Sequence, residues 1–77
     1  MDTLNAEEIG SRIKENRIKL DLTMEEFSYK AGISARYLSY IENGSKRMSM
    51  DTLYGVAKAL GKSTDWVFSG NFSEKND

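Results

Sequence analysis

The sequence predicts an all-α domain of five short helices, and three observations carry that expectation. No proline occurs in the 77 residues, no run of β-branched residues alternates with polar ones in the manner of a half-buried strand, and glycines stand where helices would end. Small polar residues precede each stretch of helical periodicity, as N-caps do.

Helix 1 is expected from Glu7 to about Leu20, with Asn5 as cap, acids in its first turn and Lys14, Arg17 and Lys19 toward its end, which suits the helix dipole. Ile9, Ile13 and Leu20 supply its buried stripe. In helix 2, Thr23 accepts from the first-turn amides, Glu26 answers three residues later as a capping box, and Gly32 ends the helix in the left-handed conformation. Helix 3 is capped by Ser34, carries Leu38 and Ile41 on one face and stops at Asn43-Gly44. Phe27, Ala31, Ile33, Leu38 and Ile41 are the core residues expected from this pair. Helix 4 runs from about Met50 to Leu60 between Ser49 and Gly61, with Leu53, Val56, Ala57 and Leu60 facing inward, and helix 5 spans Thr64 to Phe68 with Ser63 as cap and Gly70 beyond. Residues 1–70 are thus expected to form one domain and residues 71–77, polar apart from Phe72, a frayed tail.

Two capped helices joined by a few residues around a glycine, as over residues 23–44, form the motif whose second helix enters the DNA major groove. The net charge of -1 argues against a nucleic-acid partner at first sight. Its distribution argues the other way: the first eleven residues hold three acids and no base, whereas residues 12–47 hold eight bases and five acids. A surplus that small predicts weak binding by one copy, and therefore a homodimer.

With no cysteine and no histidine, the chain offers no disulfide and no thiolate or imidazole metal site, so neither a metal nor a cofactor is expected. Catalysis is not expected either, because no nucleophile elbow, phosphate loop or paired-carboxylate motif is present. The N-terminus has no signal-peptide pattern and no stretch approaches the roughly 18 apolar residues of a membrane helix, so the chain reads as cytoplasmic with no membrane partner.

The order of these features resembles the Cro/Xre family of phage and bacterial repressors, the lambda-repressor-like five-helix DNA-binding domain. The resemblance covers residues 9–70 and rests on Ile9-Gly-Ser-Arg-Ile-Lys-Glu-Asn-Arg, Leu22-Thr-Met-Glu-Glu-Phe, Ala31-Gly-Ile-Ser, Tyr37-Leu-Ser-Tyr-Ile-Glu-Asn-Gly, and Leu53 through Ala57-Lys-Ala-Leu-Gly to Asp65-Trp. Each piece is weak alone; their order and spacing are specific.

The resemblance implies that Ala35, Arg36, Ser39 and Tyr40 face base edges. Arg36 has the strongest chemistry there, since a guanidinium bonds guanine O6 and N7 together, whereas Ala35 offers only a methyl to a thymine methyl. Tyr37 is expected to pack and Tyr40 to reach a base or the backbone. Backbone contacts fall to the start of helix 2 and the loop after helix 3, at Thr23, Met24, Asn43, Ser45, Lys46 and Arg47. The family usually has glutamine where this chain has Met24, whose thioether cannot make that contact; either reduced affinity or compensation from Thr23, Arg12 or the Lys46-Arg47 pair is expected. Lys62 and Met48 depart from the pattern without consequence for the fold.

The resemblance further implies a structural ion pair between Arg17 and Glu42. Trp66, Val67 and Phe68 are either mostly core or, because all three cannot face inward from one short helix, in part a candidate dimer surface together with Phe72. The function implied is that of a dimeric transcription regulator, a repressor, on a short palindrome in double-stranded DNA, its half-sites about 34 Å apart. The acidic total and Met24 favour a rival, a helix-turn-helix module that binds a protein partner, such as an antitoxin or anti-repressor component.

Overall fold

The computed structural model describes residues 5–70, which form α1 (Ala6–Lys19), α2 (Met24–Ala31), α3 (Ala35–Glu42), α4 (Met50–Leu60) and α5 (Thr64–Ser69). All five open on a side-chain cap. Asn5, Thr23, Ser34, Ser49 and Ser63 accept from backbone amides of Glu8, Glu26, Tyr37, Thr52 and Trp66 at 3.0 to 3.1 Å. Each cap satisfies an orphan donor and contributes on the order of 1 kcal/mol. The capping box at α2 is complete, with the Thr23 amide donating to Glu26 Oε1 at 2.9 Å.

Helix ends follow an equally local logic. Gly32 turns left-handed at φ 79°, and the amides of Gly32 and Ile33 donate to the Tyr29 and Ser28 carbonyls, closing α2 in a Schellman motif. The same arrangement ends α1, but there the left-handed residue is Asp21, at φ 63°, with the amides of Asp21 and Leu22 donating to Ile18 and Arg17. Asp tolerates this conformation better than most residues and still carries steric cost.

One layer of helices wraps a core in which Ile13, Phe27, Leu38, Val56 and Val67 are wholly buried. Helices α1 and α3 pack so closely that a Cβ at Gly10 would overlap the Ile41 carbonyl, and α2 and α4 do the same at Gly55 against Ala31. These two glycines lie inside helices, contrary to the expectation that glycines mark helix ends; each accepts a helix-propensity cost of about 1 kcal/mol for close packing.

Leu20 also departs from expectation. It is 48% exposed because it stands one residue past α1, and Leu22 packs against the core in its place. The α1 stripe instead runs through Ile9, Ile13 and Arg17. Ile33 is only half-buried at the edge of the core. Helix α5 extends to Ser69, one residue beyond the expected end. Phe72 and the expected tail, residues 71–77, lie outside the described residues.

Candidate nucleic-acid interface

The buried residues Leu38, Ile41 and Glu42 fix the inward side of α3; at about 100° per residue Arg36 and Tyr40 fall opposite it, Ser39 on the flank between, and Ala35, seven residues before Glu42, at the border of the buried side. Arg36 and Ser39 are exposed; Ala35 and Tyr40 are half-buried. Arg36 makes no ion pair among the described residues, which leaves its five N–H donors available. Tyr37 packs against the core, and its hydroxyl donates to the Arg47 carbonyl at 3.2 Å, tying α3 to the loop that follows it.

That loop is locally built. Asn43 Oδ1 accepts from the Ser45 amide at 3.0 Å and from the Ser45 hydroxyl, while the Ser45 amide also donates to the Tyr40 carbonyl at 2.8 Å. Its geometry sets the exposed side chains of Lys46 and Arg47 beyond the C-terminal end of α3. The Lys46 ammonium lies 5.1 Å from the centroid of the Tyr40 ring, a cation–π contact that places positive charge beside the α3 surface. Thr23 is exposed at the start of α2, with its hydroxyl oxygen engaged in the cap. Met24 is half-buried against the core and offers no donor.

The orientation of α3 is held by a buried bidentate pair. Arg17 Nε donates to Glu42 Oε2 at 2.8 Å and Nη2 to Oε1 at 3.2 Å, and Nη1 donates to the Leu22 carbonyl at 2.9 Å. Both side chains are nine-tenths buried or close to it. Three elements are joined by this one guanidinium: α1, the α1–α2 turn and the end of α3. Beside the pair, a surface notch brings together Met24 at the start of α2, Ser39 on α3 and Asn43 at its C-cap, all expected at the DNA surface, with Lys14 of α1.

Two expectations need correction. Arg12 does not stand beside Met24 in this notch; its Nη1 donates to the Val67 carbonyl at 2.9 Å and the Phe68 carbonyl at 3.3 Å, which directs it to the end of α5. This long-range staple, 55 residues apart, has no signature in a single sequence. Val67 is wholly buried and offers no surface to a second copy; it is core, whereas Trp66 is half-buried and Phe68 is 36% exposed. A six-residue helix with its second turn docked on the core directs only one of three consecutive large residues fully inward.

Comparison with known proteins agrees with this architecture. The helix-turn-helix family profile matches residues 13–67. The chain is 40% identical over 55 residues to an uncharacterised helix-turn-helix transcriptional regulator of Sinorhizobium fredii, covering 71% of each. It is 34% identical over 61 residues to an uncharacterised transcriptional regulator in the ATPase CF(0) region of Rhodospirillum rubrum, covering 79% of this chain and 56% of that one. The chain thus spans little more than half the length of some of its relatives. Among solved structures, the phage P22 c2 repressor bound to a synthetic operator superposes with a TM-score of 0.78 at 27% identity, over 82% of this chain and 96% of that one. The clp gene regulator ClgR of C. glutamicum superposes with a TM-score of 0.78 at 31% identity, over 88% and 87%. With five capped helices, a helix-turn-helix at α2 and α3 and a family match over most of its length, the chain belongs to the Cro/C1-type helix-turn-helix family of transcriptional regulators.

Proposed function

We propose that the chain acts as a homodimer on a short palindromic operator, with α3 in the major groove, and represses transcription by excluding polymerase. The observation that carries this reading is the continuity of one surface: the outward side of α3, the start of α2 and the Lys46-Arg47 loop adjoin one another, while the opposite side of α3 is sealed into the core. In this reading Arg36 reads a guanine, Ala35, Ser39 and Tyr40 complete the reading edge, and Thr23, Asn43, Ser45, Lys46 and Arg47 fix its register on the phosphates. The P22 c2 repressor, similar over nearly its whole compared length, supports the operator assignment.

Dimerisation is assigned to α5. Phe68 borders an apolar cleft with Ile9, Met48, Met50 and Leu53, and Met50 is 75% exposed, so a second copy has apolar surface to cover. Palindromic half-sites about 34 Å apart follow from one α3 per subunit. Function then resides in binding alone, in the cell compartment that holds the DNA; among the described residues no helix is long and apolar enough to cross a membrane.

A second reading, a module for a protein partner, is favoured by the acidic net charge and by the likeness to a chain of the SinR protein/SinI protein complex, 32% identical with a TM-score of 0.76. Selection from a random duplex pool, repeated at two salt concentrations, separates the two. Enrichment of one palindrome supports the regulator; no retained DNA at low salt supports the protein module.

A further inference from the structure

We propose that Lys14 is a phosphate anchor of the DNA interface, contributed by α1 and filling the gap left by Met24; the inference rests on the operator-binding reading above. The notch at the junction of α1, α2 and α3 is lined by Lys14, Arg17, Met24, Ser39, Glu42 and Asn43. Arg17 and Glu42 neutralise each other in their bidentate pair and are buried. The side chains left to face an incoming group are then one cation, the Ser39 hydroxyl and the Asn43 amide.

Asn43 already spends its carbonyl oxygen on Ser45, which leaves the amide nitrogen as the group it can present. The notch is therefore rich in donors and holds no unpaired carboxylate. That is the chemistry of an anion site, and a lysine serves such a site as a point charge.

Lys14 is exposed and makes no ion pair among the described residues. Its helical neighbours at three and four residues are Ser11, Arg17, Gly10 and Ile18, so no acid sits where α1 could engage it. Two of the lining residues, Ser39 and Asn43, belong to the surface assigned to DNA, which places Lys14 at its edge. Arg12, two residues earlier, is directed to the α5 carbonyls and does not line the notch.

The test is the salt dependence of binding by the full chain to a selected operator and to an unrelated duplex, for wild type, Lys14→Ala, Lys14→Arg and Lys14→Ala/Met24→Gln. Removing one phosphate contact should flatten the slope of log affinity against log salt by about 0.9. Lys14→Ala should lower affinity by the same factor on both duplexes, with an unchanged melting temperature because the side chain is exposed. Lys14→Arg should retain the wild-type slope, and Met24→Gln should recover part of the affinity. A Lys14→Ala variant with wild-type slope and affinity overturns the inference, as does a loss confined to one operator base pair. Wild-type protein that binds neither duplex removes the operator-binding reading itself, a result distinguishable from either.

Discussion

Arg17 on α1 and Glu42 at the end of α3 meet as a buried bidentate pair, with Nε to Oε2 at 2.8 Å, and the same guanidinium donates to the Leu22 carbonyl just before α2. One side chain thereby ties the helix that would read DNA to α1 and to the turn that leads into α2. Removing Glu42 leaves a buried, uncompensated guanidinium. Glu42→Ala should cost about 3 to 5 kcal/mol, lower the melting temperature by more than about 10 °C in a domain of this size, and weaken DNA binding in parallel. An unchanged melting curve would show that the pair carries no stability. Replacing both partners by Met and Leu should cost far less than either single change, because no charge is then left alone.

Asp21 predicts a gain. It holds a left-handed φ of 63° at the end of α1, where its negative charge also faces the negative end of the helix dipole. Asp21→Gly should relieve both, net of the greater entropy of an unfolded glycine, and stabilise the domain by about 0.5 to 1 kcal/mol. Asp21→Val should destabilise it, since a β-branched residue fits this conformation poorly. Thermal denaturation of the two variants checks the sign of each.

Gly10 predicts the converse. By helix propensity alone Gly10→Ala should stabilise α1 by about 1 kcal/mol. The added methyl would meet the Ile41 and Glu42 backbone, so α1 and α3 must separate and the Arg17–Glu42 pair must stretch. Net destabilisation of about 1 to 3 kcal/mol is expected; a more stable variant would mean that the helices shift freely. The same substitution should weaken DNA binding by tilting α3.

Lys46 and Arg47 should behave as register-setting cations. Their replacement by Ala should lower affinity evenly across operator variants and flatten the salt slope by about 0.9 for each phosphate left without its cation. A change in base preference would move them from the backbone to the reading edge.

The helices are legible in the sequence because their signals are local. Thr23 with Glu26, Ser34 before α3 and Gly32 between them each act within four residues, so the chain spells them out. What sequence does not reveal depends on distance along the chain. Leu20 has the right helical spacing for the core but stands past the end of α1, and Gly10 and Gly55 serve contacts with Ile41 and Ala31 that no local pattern encodes. The bond from Arg12 to the end of α5 is of the same kind. Family resemblance supplies the candidate reading residues, and only the fold shows that Lys14 of α1 lines one notch with Met24, Ser39 and Asn43. Val67 escapes sequence reasoning because three adjacent apolar residues do not reveal which one a short helix turns inward.

If α3 reads bases, Arg36 is the side chain whose loss shows it most directly. Affinities of wild type and Arg36→Ala would be measured at one salt concentration for the selected palindrome and for every single base-pair variant of its half-site. The expected result is loss of about 1 to 3 kcal/mol of discrimination at one guanine-containing position, with preferences elsewhere kept and the melting temperature unchanged. An Arg36→Ala variant that retains the complete wild-type base preference would contradict the claim.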